Sequence, residues 1–143
     1  MKKIIPFEIS GVHIAIAIFI LLGAAFGIYQ FNKKPKQVSD IKTAFVITAD
    51  ELYDAFEQNE NEASAKYIDK VIEVSGVISE VDRNNEGNMA IVMKAKNALL
   101  GGVNAAMGQK DNLKLTIGED IKLKCMCVGY NMEVILNNCV PVE

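Results

Sequence analysis

The order of apolar and polar residues divides the chain into one long apolar run and a mixed remainder. From Ile9 to Phe31 the sequence reads ISGVHIAIAIFILLGAAFGIYQF, and residues 14–28 carry no charge. An uncharged run of about 18 residues is just long enough to cross a ~30 Å hydrocarbon layer as a helix. The pattern predicts a transmembrane helix over residues 11–31, between a short tail (1–10) and a polar linker (32–43).

Two other interpretations of the run stay open, a cleaved signal peptide and a buried core helix. Ala25-Phe26-Gly27 is a weak match to the small residues that a cleavage site needs. We favour the anchor, with the short N-terminal tail retained in the cytoplasm and the following domain outside it. Gly23 and Gly27 form a GxxxG pair, which favours close helix packing and a weak homodimer.

Residues 44–143 are expected to form one domain that begins with a helix. Thr48 and Glu51 have the spacing of a capping box. Four apolar residues then recur at helical intervals: Leu52, Phe56, Ala63 and Tyr67. The pattern predicts one amphipathic helix of about 20 residues, whose apolar stripe must cover another surface.

After Lys70 the pattern becomes that of β-strands. The first strand, 71–81, is interrupted by Gly76, which indicates a bulge or a sharp bend. Later strands are predicted at 89–94, 103–107, 117–128 and 133–142, with a turn at 84–87. In the fourth strand Ile121, Leu123, Cys125 and Cys127 alternate with polar residues and should face the core. One helix followed by five short strands predicts a mainly β fold, a small barrel.

Composition excludes several kinds of chemistry. The 143 residues include a single histidine, His13, which lies in the apolar run. A soluble site that needs histidine is therefore excluded, and the chain has no phosphate-binding loop and no dinucleotide fingerprint. We expect no catalytic residue, no cofactor and no metal site, and so no enzyme.

Two stretches of the domain resemble the tRNA-anticodon-like OB-fold family. They are ADELYDAFEQNENEASAKYIDKVIEVSGVISEV and GEDIKLKCMCVGYNMEVILNNCVPVE, and the resemblance covers residues 48–143. It implies a five-stranded OB-type barrel preceded by one amphipathic helix, in a membrane-anchored bacterial protein. The family markers concern the fold and identify no activity.

Charge and composition argue against nucleic-acid binding by such a barrel. Five of the fifteen basic residues flank the apolar run, so residues 37–143 hold ten basic and seventeen acidic residues and a formal charge of −7. That is the wrong sign for phosphate contacts. The second and third strands offer Met89, Ile91, Met93, Val103 and Met107, but no aromatic platform. Four lysines are interpreted as a solvated side of the barrel: Lys110, Lys114, Lys122 and Lys124.

Three cysteines lie in the last two strands. The resemblance implies a disulfide between Cys127 and Cys139, which match family positions, if the domain faces an oxidising compartment. Three reduced, buried thiols are the main alternative, and a three-thiolate zinc site is a remote one.

These observations favour a membrane-anchored, non-catalytic OB-fold module of the bacterial envelope, in the inner (cytoplasmic) membrane. It would bind a protein, a peptide or an oligosaccharide, or serve as a scaffold in an envelope complex. The alternatives are a single-stranded nucleic-acid-binding domain on the cytoplasmic side and a metal- or redox-linked envelope protein.

Overall fold

A computed structural model of the protein describes residues 11–32, 37–108 and 113–143. The chain divides into two compact units, Met1–Pro35 and Lys36–Glu143. The predicted tail (1–10) and residues 33–36 of the predicted linker lie outside the described residues. The first unit contains helix α1 (Gly11–Phe31), which buries no residue within its unit.

Helix α1 is long and apolar enough to cross a membrane, although a signal sequence near an N-terminus has the same length and composition. A Cβ atom added at Gly23 or at Gly27 would meet nothing within 4 Å. The surface at these two glycines is therefore open, and the predicted helix packing through them stays a prediction.

The second unit contains two short helices and six strands. A 3-10 turn (Val38–Asp40) leads into it. The other elements are β1 (Phe45–Thr48), α2 (Ala49–Gln58), α3 (Glu60–Tyr67), β2 (Val71–Arg83), β3 (Met89–Lys94), β4 (Gly102–Met107), β5 (Asp120–Tyr130) and β6 (Val134–Pro141).

The predicted single helix is two helices in the structure. It begins as expected, because the Thr48 hydroxyl accepts a hydrogen bond from the backbone N–H of Glu51 and the Glu51 carboxylate accepts one from the backbone N–H of Thr48. The backbone N–H of Thr48 and its hydroxyl both donate to the Glu51 carboxylate and lower its pKa. The helix is broken at Asn59, whose backbone is not helical (φ −155°, ψ 89°). The Asn59 side chain accepts from the backbone N–H of Glu62 and caps α3.

Five strands close into the predicted barrel. Strand β2 pairs with β3, β3 with β4, β4 with β6 and β6 with β5, and β5 pairs with β2. All these pairings are antiparallel except that between β4 and β6. The short strand β1 adds to the edge of β2 in parallel. A five-stranded mixed barrel with helices is thus confirmed.

Strand β2 changes partners near Gly76, where the sequence predicted a bend. Residues 71–77 pair with β5, and Ile78 is the first residue to pair with β3. A Cβ atom on Gly76 would lie 2.8 Å from the Cβ of Ala49, the first residue of α2. Glycine therefore lets the start of α2 approach the bend more closely than any other residue would allow.

The core lies inside the barrel and under the helices. The predicted helical stripe is buried: Leu52, Phe56, Ala63 and Tyr67. Three inward residues of β5 are buried as well: Leu123, Cys125 and Cys127. Ile121 is half-buried against the same cluster. Helices α2 and α3 thus cover one part of the barrel core.

Candidate binding face

The outer side of strands β2, β3, β4 and β6 presents two rows of side chains. The strand registers place them in line except for Asn137, which joins the second row across the register shift between β4 and β6. One row is Glu80, Val92, Asn104 and Ile135; the other is Asp82, Ala90, Ala106 and Asn137. We call these eight residues the outer face. Buried residues alternate with them along β3 and β4, as the two-residue period of a strand requires.

The apolar residues that the second and third predicted strands offer are buried. Met89, Ile91, Met93, Val103 and Met107 all belong to the core, and Met89 and Met107 also line one end of the outer face. The alternation of the strands places smaller residues outside. The outer face still contains no aromatic side chain.

Small side chains leave a hollow at one end of the outer face. Its volume is about 320 Å³, and Ala90 and Ala106 form its floor. The other lining residues are Asp82, Asn84, Asn88, Met89, Met107 and Asn137. The hollow therefore combines amide and carboxylate groups with the apolar side chains of alanine and methionine.

The turn between β2 and β3 holds the rim of the hollow in place. The Asn84 side-chain oxygen accepts hydrogen bonds from the backbone N–H groups of Glu86 (3.0 Å) and Asn88 (2.8 Å). Gly87 has φ +81°, a conformation that glycine adopts without strain. These bonds fix the chain where the sequence predicted a turn, so this edge of the face is built by the backbone as well as by side chains.

Negative charge dominates the outer face. Glu80 and Asp82 are exposed. The ion pair found among the described residues joins Lys96 to Asp50 at the start of α2, away from this face. Asn104 donates to the Glu133 carboxylate at 3.4 Å in the loop that follows β5. Lys94, two residues beyond Val92, lies on the same side of β3 and is exposed. A ligand of this face would therefore meet carboxylates on β2 and one ammonium group at the end of β3.

The lysines of β5 lie elsewhere on the barrel. Lys122 pairs in register with Ser75, and Lys124 with Glu73, on the half of β2 that does not carry the outer face. Lys124 donates to the backbone oxygen of Ser39 at 3.2 Å. Lys114 is exposed, and Lys110 lies outside the described residues. Lys122 and Lys124 therefore do not line the outer face.

A second and larger hollow, of about 440 Å³, lies at the start of α2. Lys94 and Lys96 line it together with Asp50 and Asp120. Asp50 is already engaged, because its carboxylate accepts a 2.7 Å hydrogen bond from the backbone N–H of Lys96. Charges of both signs balance in this hollow, which gives it no preference for an anion or a cation.

The disulfide joins a different pair from the one expected. Cys125 is bonded to Cys139, with Cα atoms 4.2 Å apart, and Cys127 is a buried free thiol. The expected pairing of Cys127 with Cys139 is corrected, because the ladder places Cys127 opposite Leu136. The register shifts on both sides of Met126, and Cys139 comes to face Cys125. Burial raises the pKa of the Cys127 thiol to about 11, with a further contribution from Asp69.

The described residues contain no group of three or more His, Cys, Asp or Glu side chains placed to hold a metal ion. Two of the three thiols considered for zinc are consumed by the disulfide.

Comparison with known proteins agrees with the fold. A family model of the tRNA_anti-like proteins matches residues 1–140. No curated protein matches the chain. A crystal structure of a "putative nucleic acid-binding lipoprotein" from Klebsiella pneumoniae subsp. pneumoniae MGH 78578 is similar, with a TM-score of 0.56 and 16% identity. The match covers 77% of this chain and 100% of that chain. At that identity the likeness concerns the fold alone.

Proposed function

Because the chain belongs to the tRNA_anti-like family of OB-fold proteins, we propose that it is a membrane-anchored, non-catalytic binding module of the bacterial envelope. Its ligand is a protein, a peptide or an oligosaccharide, held on the outer face. The module acts by binding or as a scaffold, since neither the outer face nor the larger hollow offers an activated nucleophile.

One observation carries this proposal. The outer face combines a hollow of about 320 Å³ with an apolar floor and a rim of carboxylates and amides. OB barrels that hold single strands place aromatic side chains and a basic groove on these strands. Here the outward positions of β3 and β4 hold Ala90, Val92, Asn104 and Ala106, with one cation, Lys94, at the end of β3. The surface suits a neutral or cationic ligand.

Three features support a location in the envelope. Helix α1 has the length and hydropathy of a membrane span or a signal. A disulfide between Cys125 and Cys139 persists in an oxidising compartment. The similar Klebsiella structure is named as a lipoprotein. We place α1 in the inner membrane as a single span with the barrel outside the cytoplasm, and we retain the division into tail, span, linker and OB domain (1–10, 11–31, 32–43, 44–143).

The proposal is tested by photo-crosslinking in living cells. A benzophenone amino acid replaces Val92 on the outer face and, as a control, Ala65 on the exposed side of α3. The module should give a discrete crosslinked product from position 92 and none from position 65. Equal products from both positions, or none from position 92, would contradict a binding role for the outer face.

The alternative is binding of single-stranded nucleic acid on the cytoplasmic side, which the name of the Klebsiella protein brings forward. The full chain, in a non-ionic detergent at low salt, is mixed with labelled 20-nucleotide oligothymidylate and oligouridylate. We expect no binding, because the domain's formal charge opposes phosphate contacts. Retention that weakens steeply as salt rises would support the alternative.

A further inference from the structure

We propose that the outer face binds an extended, basic segment of a partner protein, with lysine or arginine side chains two residues apart lying over Glu80 and Asp82. The inference rests on the proposed function, since it takes the outer face to be the binding surface. Of a protein, a peptide or an oligosaccharide, it selects an extended segment of a protein as the ligand.

The shape of the face fits an extended chain. Strands β2, β3, β4 and β6 lie side by side, and their outward side chains in the middle are small or of medium size. Ala90, Val92 and Ala106 are half-buried and level the floor, and Ile135 is 40% exposed at its far side. An extended segment could lie over this floor and bury the exposed part of its apolar surface.

The charges of the face give the segment its sign and spacing. Glu80 and Asp82 are two residues apart on one strand and point the same way, so their Cα atoms are about 6.6 Å apart. The described structure gives neither carboxylate an ion pair. Basic residues at alternate positions of an extended segment repeat at the same spacing and on one side. Each carboxylate could therefore pair with one cation.

The other ligand classes fit less well. A phosphate-bearing strand would be repelled by both carboxylates. A pyranose ring commonly stacks on an aromatic side chain, and none of the eight outer-face residues is aromatic. A neutral peptide would leave Glu80 and Asp82 without the partners that their spacing provides.

The inference is tested with defined peptides and the full chain in a non-ionic detergent at low salt. One labelled ten-residue peptide alternates lysine with threonine, a second has the same composition with its lysines in one block, and a third replaces lysine by glutamate. Fluorescence anisotropy should show that the alternating peptide binds most tightly and that the glutamate peptide does not bind.

Two double variants separate the site from general charge. Glu80→Gln/Asp82→Asn should weaken binding of the alternating peptide about 5-fold or more. Glu60→Gln/Glu143→Gln removes the same net charge from exposed positions off the face, and it should change binding less than about 2-fold. All four side chains are exposed, so circular dichroism should show an unchanged fold in both variants.

Three results would overturn the inference. In the first the alternating peptide fails to bind, in the second both double variants weaken its binding equally, and in the third the peptide with its lysines in one block binds as tightly as the alternating one. The crosslinking result at position 92 is independent of these measurements. A crosslink there, without peptide binding, would keep the proposed function and reject the basic segment as its ligand.

Discussion

The two faces of strands β3 and β4 are made of alternate residues of the same backbone, yet they differ in size, polarity and exposure. The inner face carries large apolar side chains such as Ile91 and Met93, which are fully buried. The outer face carries Ala90, Val92, Asn104 and Ala106, which are smaller and half-exposed. The large buried side chains of the inner face stabilise the barrel, while the small side chains of the outer face leave the hollow. One alternation therefore sets both the stability of the barrel and the shape of its candidate site.

The largest expected effect is a direct contrast between the two faces. Ile91→Ala removes a fully buried side chain from the inner face and should lower the free energy of unfolding by about 2–5 kcal/mol. Val92→Ala, at the next position but on the outer face, should lower it by about 0.5 kcal/mol or less. Urea denaturation of both variants measures the contrast, and similar losses would show that the faces are not distinct.

Loss of the disulfide is expected to lower the free energy of unfolding somewhat less than Ile91→Ala does. Cys125→Ala/Cys139→Ala removes a cross-link between residues 14 apart on the inner face and should cost about 2–4 kcal/mol. Peptide mapping of the oxidised protein should find Cys125 linked to Cys139 and one thiol at Cys127. Cys127→Ala is the control, since it keeps the cross-link.

The free thiol also gives a dependence on pH. The pKa of Cys127 is raised from 9.0 to about 11 in the folded protein, so the folded state disfavours the thiolate. Its contribution to stability is complete below pH 9 and is lost as pH rises from 9 to 11. The free energy of unfolding of the Cys127→Ala variant should fall less from pH 9 to 11 than that of the natural sequence. Equal falls in both proteins would contradict a raised pKa of the Cys127 thiol.

The smallest expected effect on stability concerns Thr48, whose side chain is exposed but hydrogen-bonded. Thr48→Ala removes the cap of α2 and should lower the free energy of unfolding by about 1 kcal/mol at pH 7. The pKa of Glu51 is lowered below its ordinary 4.5 by its bonds to Thr48, so that part of the stabilisation is present above pH 4.5 and is lost as pH falls through the lower folded-state pKa. The gap between the natural sequence and Thr48→Ala should shrink at pH 3. Thr116→Ala, at an exposed position outside the helices, should show no such gap.

Much of the fold could be predicted because its signals are local. The capping box at Thr48, the stripe through Leu52 and Phe56, the glycine at the bend and the turn at 84–87 each depend on a few neighbouring residues. The break at Asn59 was missed, because the apolar stripe continues in register on both sides of it. The Asn59 cap of α3 could have been recognised, since Asn followed by Glu three residues later is also a signal for the start of a helix.

The candidate site was harder to predict than the fold. Which residues of β3 and β4 face inward depends on the neighbouring strands and on the bulge in β2 between Ile78 and Glu80. The disulfide partner of Cys139 depends on two register shifts between β5 and β6. Such shifts leave no mark in the order of apolar and polar residues, so neither the outer face nor the pair Cys125–Cys139 followed from the sequence.

Strand β6 closes the barrel, which has a consequence for the timing of assembly. The ring is completed only when Val134–Pro141 pairs with both β4 and β5, so a chain released stepwise from the N-terminus keeps an open sheet until that strand emerges. Cys139 then arrives last of the three cysteines. A chain cut short before β5 would retain α1 and both small helices, yet expose the inner side of β2 to any neighbour.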